Sequence, residues 1–158
     1  MKLAIVIPTF NERENIAELC ENILTLPLRP DMEVKLIIVD DNSPDGTGAI
    51  ADALAARYPS RVDAFHRLQE RGRASAGIAG FRRALADPDV THVIEMDADF
   101  SHHPSDIPKL VEAEPTADVI IGSRYVKGGI AINCAAVNRA LSITINLVNF
   151  LFLGVHVL

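Results

Sequence analysis

Residues 34–47 read VKLIIVDDNSPDGT, and this stretch decides the fold. Val34 to Asp40 is an apolar run, rich in β-branched residues and closed by turn formers, which reads as a buried strand. DNSPDGTG then turns the chain into a helix on which Ile50, Leu54 and Tyr58 share one face. The same strand–turn–helix unit recurs on both sides. Upstream, LAIVI (3–7) is a strand ended by Pro8, and Asn11 with Glu14 resembles a capping box. Ile16, Leu19, Cys20, Ile23 and Leu24 follow on one helical face. Downstream come VDAF (62–65), a helix lined by Ile78, Phe81 and Leu85, and VTHVIEM (90–96). A short helix after Pro104 and a fifth strand, DVIIG (118–122), complete the series.

Strands alternating with helices at this spacing predict an α/β fold with a parallel sheet. Such sheets bind ligands beyond the carboxyl ends of their strands. Those ends carry Thr9 to Glu12, Asp40 and Asp41, Asp97 to Ser101, and Ser123 with Arg124. Polar groups from four strands are thereby expected at one edge.

Composition narrows the function. The chain has 158 residues, 49% hydrophobic and 23% charged, which suits one globular domain with a sizeable core. A net charge of −6 and the absence of a basic stripe argue against nucleic acid. Cys20 and Cys134 have no metal-ligand spacing and read as small apolar residues. The N-terminus has too short an apolar run for a signal peptide, so a cytoplasmic domain is expected.

In MDADFSHHP, Asp97 and Asp99 stand one residue apart on an extended segment and point the same way. Two full negative charges about 5 Å apart repel by roughly 3 kcal/mol at an effective dielectric of 20. Either one keeps its proton or a cation sits between them, and hard oxygen donors suit Mg²⁺ or Mn²⁺. A solvated acidic turn is the plain alternative. Alternation puts Glu95 on the same face, with no role assigned by the sequence. RGRASAG (71–77) lacks the Gly-Lys-Ser/Thr of a P-loop. Its Arg71 and Arg73, with Arg67, either close over phosphates or belong to a solvated loop. The order of the motifs disfavours a response-regulator receiver, because a complete strand–helix unit precedes the acidic pair and Arg124 stands where a Lys is needed.

Taken together and in order, IPTFNERENI, IIVDDNSPDGT, MDADFSHHP and IGSRYVKGG resemble family 2 glycosyltransferases of the GT-A fold. Among these the resemblance is to dolichyl-phosphate (polyprenyl-phosphate) mannosyltransferases. It implies a Rossmann-like, mostly parallel sheet with helices on both faces. It also implies inverting transfer of a hexose, mannose favoured, from a nucleotide diphosphate such as GDP-mannose to a polyprenyl phosphate. By that resemblance Pro8, Phe10, Glu12, Val39, Asp41, Asp97 and Ala98 bind the nucleotide. Asp97, Asp99 and Ser101 hold Mg²⁺ or Mn²⁺, and Asp99 and Arg124 are catalytic. Arg124, Arg139 and Ser142 meet the acceptor. The chain has no Trp for the family's Trp-Pro step, and Asn138 occupies its Arg position, with Arg139 one residue later. The final LGVHVL stops before the family's D-x-[ST]-[GS]-[GS]-F stretch, so the C-terminal part is expected to be missing. A family 2 transferase acting on a saccharide or protein hydroxyl, and a nucleotide-sugar-binding fragment without turnover, are the alternatives.

These readings divide the chain into a nucleotide-sugar-binding core, 1–127, and an apolar region, 128–158. After Gly128 the one residue of the Lys, Arg, Asp and Glu group is Arg139. A helix over 135–153 carries Asn138, Ser142, Asn146 and Asn149 as a narrow polar stripe. Those amides disfavour a spanning helix and predict one lying at a membrane interface. A core helix and dimerisation through its apolar surface are the competing expectations.

Overall fold

The computed structural model describes residues 1–69, 71–123, 126 and 136–154. It forms two compact units, Met1–Glu112 and Ala113–Leu158. The expected boundary at Lys127 lies outside the described residues.

In the first unit β1 (Lys2–Thr9), α1 (Ile16–Leu24), β2 (Glu33–Asp40), α2 (Thr47–Arg57), β3 (Val62–His66), α3 (Arg73–Leu85) and β4 (Val90–Glu95) alternate along the chain. A turn of 3-10 helix at Pro104–Asp106 leads into α4 (Ile107–Ala113). The four strands form a parallel sheet in the order β3-β2-β1-β4, with Ile5 opposite Leu36 on one side and Ile94 on the other. β1 is therefore where the chain reverses its direction of winding. In open α/β sheets such a switch point leaves a crevice beyond the strand ends.

Burial follows the apolar runs. Leu3 to Thr9 and Leu36 to Asp40 are all buried, as strands covered on both faces must be. Ile5, Ile7, Leu36 and Ile38 pack against Ile16, Leu19, Ile23 and Leu54 of α1 and α2. Ala4, Val6, Ile37 and Val39 face α3. Each fully buried Ile or Leu contributes about 1.5–3 kcal/mol, so these two strands fix the sheet's register. Cys20 is buried among them, and desolvation pushes its thiol up to about 12.

Three sequence expectations fail, each for a local reason. The Asn11–Glu14 capping box does not form, because Asn11 takes left-handed backbone at φ 61° and its N–H donates to Ser43 Oγ. The helix begins at Ile16, after Asn15. On α3 the inward face is Ala76, Gly77, Gly80 and Ala84, while Ile78 and Leu85 are exposed. The helix lies so near the sheet that a Cβ on Gly80 would stand 2.2 Å from Val6 Cγ1. Large side chains have no room there. Finally, 118–122 forms no strand among the described residues, and Val119 and Ile121 are exposed. An apolar run becomes a strand only where a neighbour accepts its ladder, and this one belongs to the second unit, whereas the sheet belongs to the first.

In the second unit α5 (Ala136–Leu153) is the main element. Its Ser142, Asn146 and Asn149 are half-buried, whereas Leu147, Phe150, Leu151 and Phe152 are exposed. Within this unit the polar stripe is the sheltered side. Among the described residues, no helix is long and apolar enough to cross a membrane.

Candidate active site

A cavity of about 470 Å³ opens beyond the carboxyl ends of β1, β2 and β4. Pro8 and Thr9 line it at the end of β1, Phe10 and Glu12 just beyond, Asp41 after β2, and Asp97, Ala98 and Asp99 after β4. Arg71, Gly72, Arg73 and Ala76, around the start of α3, complete the wall. The volume falls within the range of small-molecule and cofactor sites.

The β1 loop is held by the loop after β2. The backbone N–H groups of Asn11, Glu12 and Arg13 donate in turn to Ser43 Oγ (3.0 Å), Thr47 Oγ1 (2.9 Å) and Asp45 Oδ2 (3.1 Å). Glu12 Oε2 also accepts from Asn15 Nδ2 at 2.9 Å. Phe10, 46% exposed, stands at the mouth with the Arg71 guanidinium 5.4 Å from its ring centre. Cation and ring face attract one another there.

The neighbouring acids Asp40 and Asp41 have different surroundings. Asp40 accepts from the Thr9 hydroxyl (3.3 Å) and from the Ser43 hydroxyl (2.6 Å) and N–H (3.1 Å), behind the cavity wall. Asp41 Oδ2 takes the Gly72 N–H at 2.8 Å, and its Oδ1 lies 3.4 Å from Arg67 Nε, both side chains being almost fully buried. Arg67 Nη2 in turn donates to Ser75 Oγ at 2.8 Å. Asp41 thus ties the end of β2 to the corner that starts α3. Gly72, at φ 127°, is needed at that corner, because other residues rarely adopt this backbone.

After β4, Asp97 Oδ1 accepts from Arg73 Nε at 2.6 Å, and Arg73 Nη1 lies 3.3 Å from Glu95 Oε1. The Asp97 N–H donates to His102 Nδ1 at 3.1 Å. Asp99 Oδ1 accepts the Ser101 N–H at 2.9 Å. Hydrogen bonds from the Ser101 hydroxyl and then its N–H hold the Asp99 carboxyl below the usual range, against a smaller opposing effect of burial. The turn that makes this possible puts Phe100 at φ 60°. Left-handed backbone costs a bulky residue about 1–3 kcal/mol. The ring's packing against the core offsets it. Asp97 and Asp99 are hard oxygen donors of the kind that suits Mg²⁺ or Mn²⁺. The Arg73 guanidinium already marks a cation position on Asp97. Among the described residues no group of three or more His, Cys, Asp or Glu is arranged to hold a metal. Any ion here would draw its remaining ligands from water and substrate oxygens, the usual habit of Mg²⁺.

Residues 4–152 match the model of Glycosyl transferase family 2. The chain belongs to this family. It is 40% identical over 154 residues to the polyprenol monophosphomannose synthase of Mycolicibacterium smegmatis, covering 97% of this chain and 56% of that protein. It is 45% identical over 130 residues to the dolichol-phosphate mannosyltransferase of Pyrococcus furiosus, covering 82% and 35%. The chain therefore spans about half the length or less of these two relatives. Among solved structures, S. aureus TarS 1–349 in complex with UDP superposes with a TM-score of 0.50 at 22% identity, over 63% of this chain and 28% of that one. That likeness concerns the fold alone, the GT-A type of α/β sheet.

In this family 2 chain, seven residues singled out in the sequence meet at one cavity: Pro8, Phe10, Glu12, Asp41, Asp97, Ala98 and Asp99. Val39 stands apart, fully buried between the sheet and α3. Ser101 is exposed and reaches the site through Asp99. Arg124 lies outside the described residues, and Arg139 and Ser142 belong to α5 in the other unit. Sequence reasoning missed Gly72 and Ala76 and left Arg71 and Arg73 undecided. The glycine between two arginines was the available signal, since it marks a backbone corner between β3 and α3. Arg67 does not join Arg71 and Arg73 at the cavity, because it is buried against Asp41.

Proposed function

We propose that this chain is the nucleotide-sugar-binding part of an enzyme that transfers a hexose, with mannose favoured, to a polyprenyl phosphate. The observation that carries the reading is the meeting of Asp41, Asp97, Asp99, Arg71 and Arg73 in one cavity at the switch point of the sheet. The names of the two relatives support the donor and acceptor classes.

Asp41 and the Phe10–Arg71 pair take the nucleoside, with Glu12 bracing the loop beneath it. Asp97 and Asp99, aided by Ser101, hold Mg²⁺ or Mn²⁺, which when bound neutralises charge on the leaving diphosphate. Low proton affinity at Asp99 keeps its oxygens available as donors. The acceptor phosphate is already anionic, so its oxygen attacks the anomeric carbon without a general base and inverts that centre. Arg124 brings the two anionic partners together, and Arg139 and Ser142 face the acceptor. We assign residues 1–127 to nucleotide-sugar binding and 128–158 to the acceptor side. There the exposed apolar surface of α5 suits contact with a membrane interface on the cytoplasmic side.

The test is calorimetric binding of GDP- and UDP-sugars with and without Mn²⁺, followed by transfer to polyprenyl phosphate in vesicles. Asp99→Asn is expected to abolish the metal-dependent part of nucleotide binding and to leave the fold intact. Unchanged metal dependence in that variant would refute the assignment.

A further inference from the structure

Arg73 is placed against the interest of its own helix. It is the first residue of α3, whose first turn carries no acid and whose N-cap, Gly72, supplies no side-chain hydrogen bond. A cation there opposes the positive end of the helix dipole. Its compensation comes from outside the helix: Nε on Asp97 Oδ1 at 2.6 Å, and Nη1 3.3 Å from Glu95 Oε1. The side chain is 56% exposed and lines the cavity, so it has room to swing.

We infer that Arg73 is a built-in counter-cation that occupies Asp97 until a divalent ion displaces it onto the diphosphate of the donor. This rests on the reading of Asp97 and Asp99 as the cation site. Arg73 and a divalent ion compete for the same carboxylate oxygen, and both cannot sit there, because three positive charges would converge on it. Once displaced, the planar guanidinium finds in a diphosphate a pair of oxygens that can accept two of its N–H groups side by side. Ion and diphosphate therefore assist one another's binding, and the ion alone binds weakly. By reciprocity each raises the other's affinity by the same factor.

The experiment measures Mn²⁺ affinity of the full chain without nucleotide, by electron paramagnetic resonance of the free ion. The chains compared are the unsubstituted one, Arg73→Gln, Arg73→Lys and Asp99→Asn. Removing one charge a few ångströms from a divalent ion is expected to tighten Mn²⁺ binding about tenfold in Arg73→Gln. Arg73→Lys, which keeps the charge, is expected to stay within about threefold of the unsubstituted chain. As a second readout, the Arg73 Nε–H resonance is expected to move toward its free position when Mg²⁺ is added. Equal Mn²⁺ affinity in Arg73→Gln and the unsubstituted chain, with binding lost in Asp99→Asn, overturns this inference and leaves the metal site standing. Mn²⁺ binding indifferent to Asp99→Asn overturns both.

Discussion

Gly77 and Gly80 lie one turn apart on the buried side of α3, and adding the same methyl to each has different expected outcomes. At Gly80 the new Cβ would stand 2.2 Å from Val6 Cγ1 and 3.1 Å from Val39 Cγ2. Carbon atoms prefer about 3.5–4.0 Å, so helix and sheet must part by more than 1 Å at a place where both strands are fully buried. Such overpacking costs about 1–3 kcal/mol or more. Alanine returns about 1 kcal/mol of helix propensity. Gly80→Ala is therefore expected to lose about 2 kcal/mol, the clash being at the severe end. At Gly77 the obstacle is the Glu95 carboxylate, 2.8 Å from the new Cβ at Oε1, the far end of a flexible side chain that can turn at the cost of its contact with Arg73. Gly77→Ala is expected to stay within about 1 kcal/mol of the parent, propensity offsetting the displaced carboxylate. Urea unfolding followed by circular dichroism reads both. With a slope of about 1–3 kcal/mol/M, Gly80→Ala lowers the midpoint by roughly 1 M and Gly77→Ala leaves it nearly in place. Adding Val6→Ala to Gly80→Ala removes the nearest carbon and is expected to show coupling above about 0.5 kcal/mol. A Gly80→Ala chain as stable as the parent would refute the close approach on which the α3 assignment depends.

The two acids after β2 give a second comparison. Asp41→Asn is expected to weaken nucleotide binding in calorimetry while the chain stays folded. Asp40→Asn is expected to cost about 1–3 kcal/mol in urea unfolding, through the bonds from Thr9 and Ser43, with a smaller effect on binding. His66 supplies a pH dependence. Its hydrogen bond to Asp52, at 2.9 Å, raises its pKa above 6.5, helped by Asp40 and opposed by burial. A raised folded value stabilises fully below the unfolded value, and the contribution fades as pH rises through the folded one. Urea midpoints are therefore expected to fall as pH rises above about 6.5 in the parent, and this part of the slope to shrink in Asp52→Asn, Asp40 supplying what remains.

The sheet was legible because its two central strands carry apolar runs, LAIVI and LIIV, bounded by turn formers, which read as buried strands. The site was legible for the same reason, since acids that end such strands must emerge at one edge. What failed depended on partners that local pattern does not encode. Ile78 and Leu85 have helical spacing, but the space against Val6 decides which face of α3 turns inward. Asn11 has the composition of a cap, but its N–H is claimed by Ser43. DVIIG has strand composition and no ladder among the described residues. Between a cation site and a wetted turn at Asp97 and Asp99, the residues alone left both readings open, and the resemblance to a known family favours the first.

Three consecutive amides of the β1 loop are each docked on a side chain of the β2 loop. The pair thus behaves like a zip, in which neither row of teeth can be lengthened alone. A one-residue insertion between Asp41 and Thr47 would leave those amides without matching acceptors and tilt Phe10 and Glu12 at the cavity mouth. Grafting a different ligand preference onto this scaffold would consequently require exchanging residues 9–15 and 41–47 as one cassette. Diversity in one loop is constrained by length in the other, and the α3 corner, tied through Gly72 to Asp41 and through Arg71 to Phe10, has to match both.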